Sequence, residues 1–292
     1  MKNFFLLLIL VYFLTGCERN IDLTLKNTDL LLVVDAQIEN GQPPSVILTK
    51  SFDYFSTISP AILSKLFVHN AEVYMDNGIH VNRFKEYTVS LGGGYSAYYY
   101  GLDSSQTGTI FLGEFNRQYF LTIKSEGKDY IARTTIPILA KYPDSLWFKQ
   151  AAFNPDTSSR VLMTRTTDPP GLGNYIRYFT RRNSGGFLPG VNSVFDDKFV
   201  DGTTYEVQIE PGIDRSAIVP LDDNFFRKGD TVTVKVCNID KSTYTFWNTW
   251  EFAQQSIGNP FAQPNKVIGN ISNGALGAFY GYAAWYKTII AR

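Results

Sequence analysis

The chain has 292 residues, enough for one large domain or two of ordinary size, and its 27 Lys plus Arg balance its 27 Asp plus Glu. That balance leaves no basic surplus for a nucleic-acid surface. With 22 Phe and 18 Tyr beside only 3 Met and 2 Cys, the composition favours pleated sheets over helical bundles and excludes a disulfide framework.

The N-terminus carries the sharpest signal. Lys2 precedes an apolar run from Phe4 to Leu14, and Leu14-Thr15-Gly16-Cys17 ends it with two small residues before a cysteine. This is the pattern of a secretory signal peptide with a lipobox. The run is about 11 residues, against the roughly 20 a membrane-spanning helix needs, so cleavage before Cys17 is expected rather than anchoring by the segment itself. Lipid on Cys17, a palmitate-type acyl chain among them, would tie the protein to a membrane, since each buried methylene contributes about 0.8 kcal/mol. Residues 1–16 are thus expected to be removed, and 17–29 to form a tether.

From residue 30 to 137, strands separated by turn residues at short intervals predict a β-sandwich. Residues 30–38 are apolar on both faces at first, and Asn40-Gly41 with Pro43-Pro44 turns the chain into a strand over 45–50. Residues 52–66 are long enough for a crossover or a helical turn. Strands over 67–75 and 79–84 flank Asp76-Asn77-Gly78, a pair that suits a tight hairpin. Strands follow at 97–100, 118–124 and 130–135, the last two joined through Glu126-Gly127, and Pro137 ends the ladder. Gly92-Gly93-Gly94 marks another hairpin tip.

Residues 138–144, with Pro143, are expected to link to a second, α+β domain over 145–292. It opens with a strand over 145–148, and strands over 161–167 and 174–182 bracket Asp168-Pro169-Pro170-Gly171. Residues 184–201 are expected to be an exposed loop, followed by strands at 205–209 and 231–238. In the latter, Val232, Val234 and Val236 share one face and Cys237 takes the other, which predicts a buried, inert thiol. An amphipathic helix is expected over 242–257, capped by Asp240 or Ser242 and stopped by Gly258 and Pro260. Its apolar stripe is Phe246, Trp250, Ala253 and Ile257, with Trp247 beside it. A strand over 283–290 closes the chain.

Motifs for catalysis are missing, and neither a metal nor a cofactor is expected. His69 and His80 read as ordinary strand residues. Gly171-Leu172-Gly173 lacks the third glycine of a dinucleotide site. Asp196-Asp197 and Asp222-Asp223 could serve as paired acids only if the fold converged them, because adjacent strand residues point to opposite faces. Calcium at the 196–197 loop lacks an ordered oxygen spacing. Tyr98, Tyr99 and Tyr100 are the ligand-binding candidates: alternate residues cannot all face the core, and an outward tyrosine offers a flat apolar face and a hydroxyl to a glycan, a peptide or a protein partner. Chance surface tyrosines are the competing reading.

Taken together, several stretches resemble the Bacteroidota outer-membrane lipoproteins grouped as domain of unknown function 4249. They are Cys17-Glu18 with Ile21-Asp22-Leu23, Leu32-Val33-Val34-Asp35, Ile38-Glu39-Asn40-Gly41, Thr134-Thr135-Ile136-Pro137, Asp168-Pro169-Pro170-Gly171 with Asn174-Tyr175, and residues 274–281. The resemblance implies an envelope lipoprotein, often encoded beside a TonB-dependent transporter, with an immunoglobulin-like or transthyretin-like first domain. It implies no catalytic residues. Acidic residues behind the lipidated cysteine resemble a surface-export signal, which Arg19 interrupts here. The expectation is a mainly β, non-enzymatic binding or accessory subunit at the outer membrane. A glycan-acting hydrolase or a structural, adhesive surface protein are the alternatives.

Overall fold

The computed structural model describes residues 30–52, 60–105, 108, 110–152, 154–215, 225–259, 263 and 265–292. The signal segment, Cys17, the tether and Asp222-Asp223 lie outside them. The chain is mainly β, with a large mixed sheet in a sandwich-like arrangement.

The first half supplies β1 (Leu32–Glu39), β2 (Ser45–Lys50), the short helix α1 (Pro60–Lys65), β3 (Glu72–Asp76), β4 (Val81–Gly92), β5 (Tyr95–Leu102), β6 (Arg117–Ser125) and β7 (Lys128–Ile136), hydrogen-bonded in the order β1-β2-β5-β4-β3-β6-β7. All three expected hairpins form, the third at Gly92-Gly93-Gly94 between β4 and β5. Asn77 accepts from the backbone N–H groups of Ile79 and His80 between β3 and β4, and Glu126-Gly127 links β6 to β7 with both residues at positive φ. Alternate residues of every strand point into one core: Val34, Ala36 and Ile38 from β1, Leu48 from β2, Met75 from β3 and Leu121 from β6 are at most 1% exposed. Burying each large aliphatic side chain there contributes about 1.5–3 kcal/mol.

The second half supplies β8 (Pro143–Gln150), β9 (Ser159–Thr167), β10 (Tyr175–Arg182), β11 (Leu188–Phe195), β12 (Thr204–Ile209), β13 (Phe226–Arg227), β14 (Thr231–Ile239), α2 (Lys241–Gln255) and β15 (Leu276–Ile290). Strands β11-β10-β14-β15 continue the large sheet past β1, while β8, β9, β12 and β13 form a smaller sheet. Helix α2 packs on one face of the large sheet and the small sheet on the other. Strand β14 is buried on both sides as expected: Val232, Val234 and Val236 face the small sheet, and Cys237 and Ile239 face the helix.

The joint between the halves is β15. Leu276 to Tyr282 pair parallel with β1, and Ala283 to Ile290 pair antiparallel with β14. In place of separate bodies over 30–137 and 145–292, residues 31–292 form one compact unit. Nor is 138–144 a loose linker: the N–H groups of Ala140 and Lys141 donate to Asn238 Oδ1 at 3.1 and 2.8 Å, and Asn238 Nδ2 donates back to the Lys141 carbonyl. Asp240 adds a further tie. One carboxylate oxygen caps α2 by accepting from Thr243 N, while the other accepts from Thr135 N and Thr134 Oγ1 on β7.

Two local expectations are corrected. Residues 184–201 contain β11, an edge strand whose register slips against β10, which is how Pro189 and Gly190 are accommodated. The apolar stripe of α2 stops short: the helix ends at Gln255, Ile257 is 73% exposed, and Glu251 is buried instead, aimed at β11.

Candidate functional site

Strand β5 splits the tyrosine cluster between two faces. Tyr100 is 2% exposed; its hydroxyl donates to the Val68 carbonyl and meets Glu86, and accepts from Ala71 N. Burial pushes this phenol up to about 12, and its hydroxyl is fully engaged within the protein. Tyr98, on the same face, sits edge-on to His69 and Phe67, while Tyr99 stacks on Tyr87 with ring centroids 5.3 Å apart. Both are half-buried. His69 Nδ1 meets Glu86 at 2.5 Å, and His80 is exposed at the β3–β4 turn.

A richer site lies on the helix-facing side of the large sheet. The register sets Arg177 on β10 beside Cys237 on β14 and Ala284 on β15, and it sets Phe179 beside Lys235 and Tyr286. One strand further, Asp35, Gln37 and Glu39 of β1 lie opposite Ala278, Tyr280 and Tyr282. Of these, Gln37, Arg177, Phe179, Lys235, Tyr280 and Tyr282, with Trp247 and Trp250 of α2 and Arg215 closing one side, border a cleft of about 500 Å³.

Its polar groups hold one another in place. The Arg177 guanidinium lies over the Trp247 ring at 3.4 Å and near Phe179, donates to Ser193 Oγ at 3.1 Å and to the Tyr282 hydroxyl at 2.8 Å, and is 3% exposed. Ser193 Oγ in turn donates to Glu251, which also bridges to Arg215 at 3.4 Å. Lys235 pairs with Glu39 among the rings of Phe179, Phe187, Tyr282 and Tyr286. The Tyr280 hydroxyl donates to Asp35. Burial raises both Tyr280 and Tyr282 above the usual phenol range, and Asp35 adds to the effect at Tyr280, so both stay protonated at neutral pH. Cations against aromatic faces in a partly dry setting are each worth about 0.5–2 kcal/mol. The result is a rigid surface of rings and fixed hydrogen-bonding groups. Burial also takes the Cys237 thiol beneath it up to about 12, which keeps it inert.

The aspartates converge elsewhere. Asp196 faces Lys198 and Tyr244, while Asp197 turns inward and accepts from the N–H groups of Gly173 and Asn174 at 2.7 and 2.8 Å. The two therefore diverge where the chain leaves β11 and turns at Asp197, whose carbonyl accepts from Val200 N and Asp201 N. Asp197 instead joins Asp168 and Asp201, with one oxygen of each within 4.8 Å of the others. Among the described residues this is the one trio of such side chains close enough to hold a metal ion, and a protein cation already sits there: Lys141 pairs with Asp168, both side chains being at most 1% exposed.

A family model described as "Domain of unknown function (DUF4249)" matches residues 18–287. The chain belongs to this family. No curated protein matches it. The stretches that resemble DUF4249 proteins take clear places in the fold. Asp35 and Glu39 hold the cleft tyrosines, Asp168 and Asn174 anchor the β9–β10 connection, and residues 274–281 include the start of β15. In this DUF4249 chain the cleft residues Arg177, Lys235 and Trp247 were not singled out by sequence as a site, because only strand register brings them together. A signal existed in β1, where Asp35, Gln37 and Glu39 alternate with apolar residues and so require a polar environment on the second face.

Proposed function

We propose that this protein is a lipid-anchored subunit of the bacterial outer membrane that binds a ligand through the aromatic and cationic cleft and serves a TonB-dependent transporter. The cleft is the observation that carries the binding role. Its cations and carboxylates are ion-paired or hydrogen-bonded to each other, so the surface is pre-organised to recognise, with little reorganisation on binding. Anchoring rests on the lipobox ending at Cys17, and the transporter on the family resemblance. The half-buried Tyr98 and Tyr99 offer a second contact surface for a protein partner.

The test is extraction of the tagged full-length protein in detergent. Mass spectrometry should find acyl chains on Cys17, Cys17→Ser should release the protein from membranes, and a transporter barrel should co-purify. An unmodified thiol, or unchanged membrane partitioning of the variant, overturns the anchoring; repeated recovery of the lipoprotein alone overturns the partnership. Titration with glycan and peptide panels, read by Trp247 and Trp250 emission, tests the cleft, and release of a cleaved product would favour a hydrolase instead.

A further inference from the structure

We propose that Lys141 and Asp168 are joined by an intramolecular isopeptide bond, formed by the folded protein itself between Lys141 Nζ and Asp168 Cγ. The two residues lie just beyond the end of the β8–β9 ladder: Pro143 is opposite Thr166, and that register continued by two residues would bring Lys141 opposite Asp168. Both backbones are pinned at this point. Asn238 grips Lys141 with hydrogen bonds to its N–H and carbonyl, and Asp168 N donates to the Thr203 carbonyl at 2.9 Å. Nucleophile and electrophile are therefore held in contact by the fold, the condition under which an intramolecular reaction gains its largest advantage.

Burial separates this pair from the other lysine–carboxylate contacts. The side chains of Lys141 and Asp168 are 1% and 0% exposed, against 20% and 66% for Lys50 and Glu126, and 13% and 15% for Lys235 and Glu39. Beyond the Lys141 ammonium, neither Asp168 oxygen has a hydrogen-bond partner among the described residues. A buried ion pair lacking such support is costly to desolvate, so replacing it with a neutral amide removes that cost. Exclusion of bulk water also protects the product from hydrolysis.

The step balances without any co-reactant. The Lys141 ammonium gives one proton to the Asp168 carboxylate; the freed amine attacks Cγ, and the N–C bond forms. A second proton passes from nitrogen to the departing hydroxyl, the C–O bond breaks, and one water leaves. No oxidant or reductant takes part. The carboxylates of Asp197 and Asp201 lie beside this point, with oxygens within 4.8 Å of Asp168, close enough to relay that second proton through one water. The bond would close the β8–β9 hairpin at its base and fix the 138–142 segment to the loop that Asp197 and Asp201 grip.

Mass spectrometry of the denatured, purified full chain decides the matter. The expected mass is one water below that of the processed chain with whatever acyl groups Cys17 carries, and a tryptic digest should contain one branched species joining residues 134–149 to 166–177, because trypsin cannot cut after a blocked Lys141. Lys141→Arg should restore the full mass, and Asp168→Asn should give the same branched species with ammonia lost in place of water. A wild-type chain at full mass with the two peptides separate overturns the proposal, whatever the variants do. Retention of the water loss in Lys141→Arg also overturns it.

Discussion

The two halves of this molecule use their interiors differently. Around the curled sheet of β1 to β7, the core is built of aliphatic and aromatic side chains, and its buried polar residues are uncharged: Asn77, Asn82 and Thr134. From residue 141 onward the interior takes in Lys141, Asp168, Arg177, Asp197 and Glu251 as well. Buried charge is expensive unless paired, so it is maintained where it has a task or a partner that cannot be moved. The first half is therefore the frame, and the second half carries the chemistry. Strand β15 makes them one body.

The harshest way to break that relation is at the joint. A Cβ on Gly277 would sit 1.9 Å from the Val34 carbonyl, in a backbone conformation of φ +89° that side chains rarely adopt. Gly277→Ala should prevent β15 from lying beside β1 and yield no soluble folded protein; a variant with native circular dichroism would refute this close approach. A milder test probes cooperation. Leu121→Ala, in the frame, should cost about 2–5 kcal/mol through the cavity it leaves. All four tryptophans, Trp147, Trp247, Trp250 and Trp285, lie in the other half. If β15 couples the halves, urea transitions followed by tryptophan emission and by circular dichroism should shift together, and separate transitions would show two independent bodies.

The smallest effect comes from pH. Burial works to raise the Asp197 carboxyl, yet the N–H groups of Asn174 and Gly173 outweigh it and hold it below the ordinary range. A folded value below the unfolded one, about 3.9, means that its contribution is complete above that pH and fades as pH falls through the folded value. Urea midpoints should therefore decline on acidification below about pH 4, and less so in Asp197→Asn. Equal slopes for the two proteins would remove Asp197 from the account.

Much of the frame was legible in the sequence because its signals are local. Residues 45–50, a short apolar run after the Asn40-Gly41 and Pro43-Pro44 turn, form β2 as read, and Glu126-Gly127 makes the turn its composition demands. The start of β15 was not legible. Leu276 to Tyr282 mix Gly, Ala and aromatics without alternation, and they form a strand only because small residues let β1 and β7 approach: a Cβ on Gly281 would meet the Thr135 carbonyl at 2.8 Å. Ile257 looked like the end of an apolar stripe, but the helix stops before it. Of the candidate site residues, Tyr100 proved to be core, and Arg177 and Lys235 were invisible because their neighbourhood is assembled from strands far apart in sequence. Lys141 was hidden inside a segment whose prolines suggested a spacer.

The parallel pairing of β1 with β15 ties the earliest described strand to the last. Ribosomes deliver a chain from its N-terminus, so the frame cannot seal its core until residues 276–282 have emerged, about 240 residues after their partners in β1. Assembly of the frame is thereby deferred, since contacts so distant in sequence form slowly. If the chain is exported as proposed, such lateness keeps it pliable for passage through a translocation channel and lets closure of β15 against β1 mark arrival.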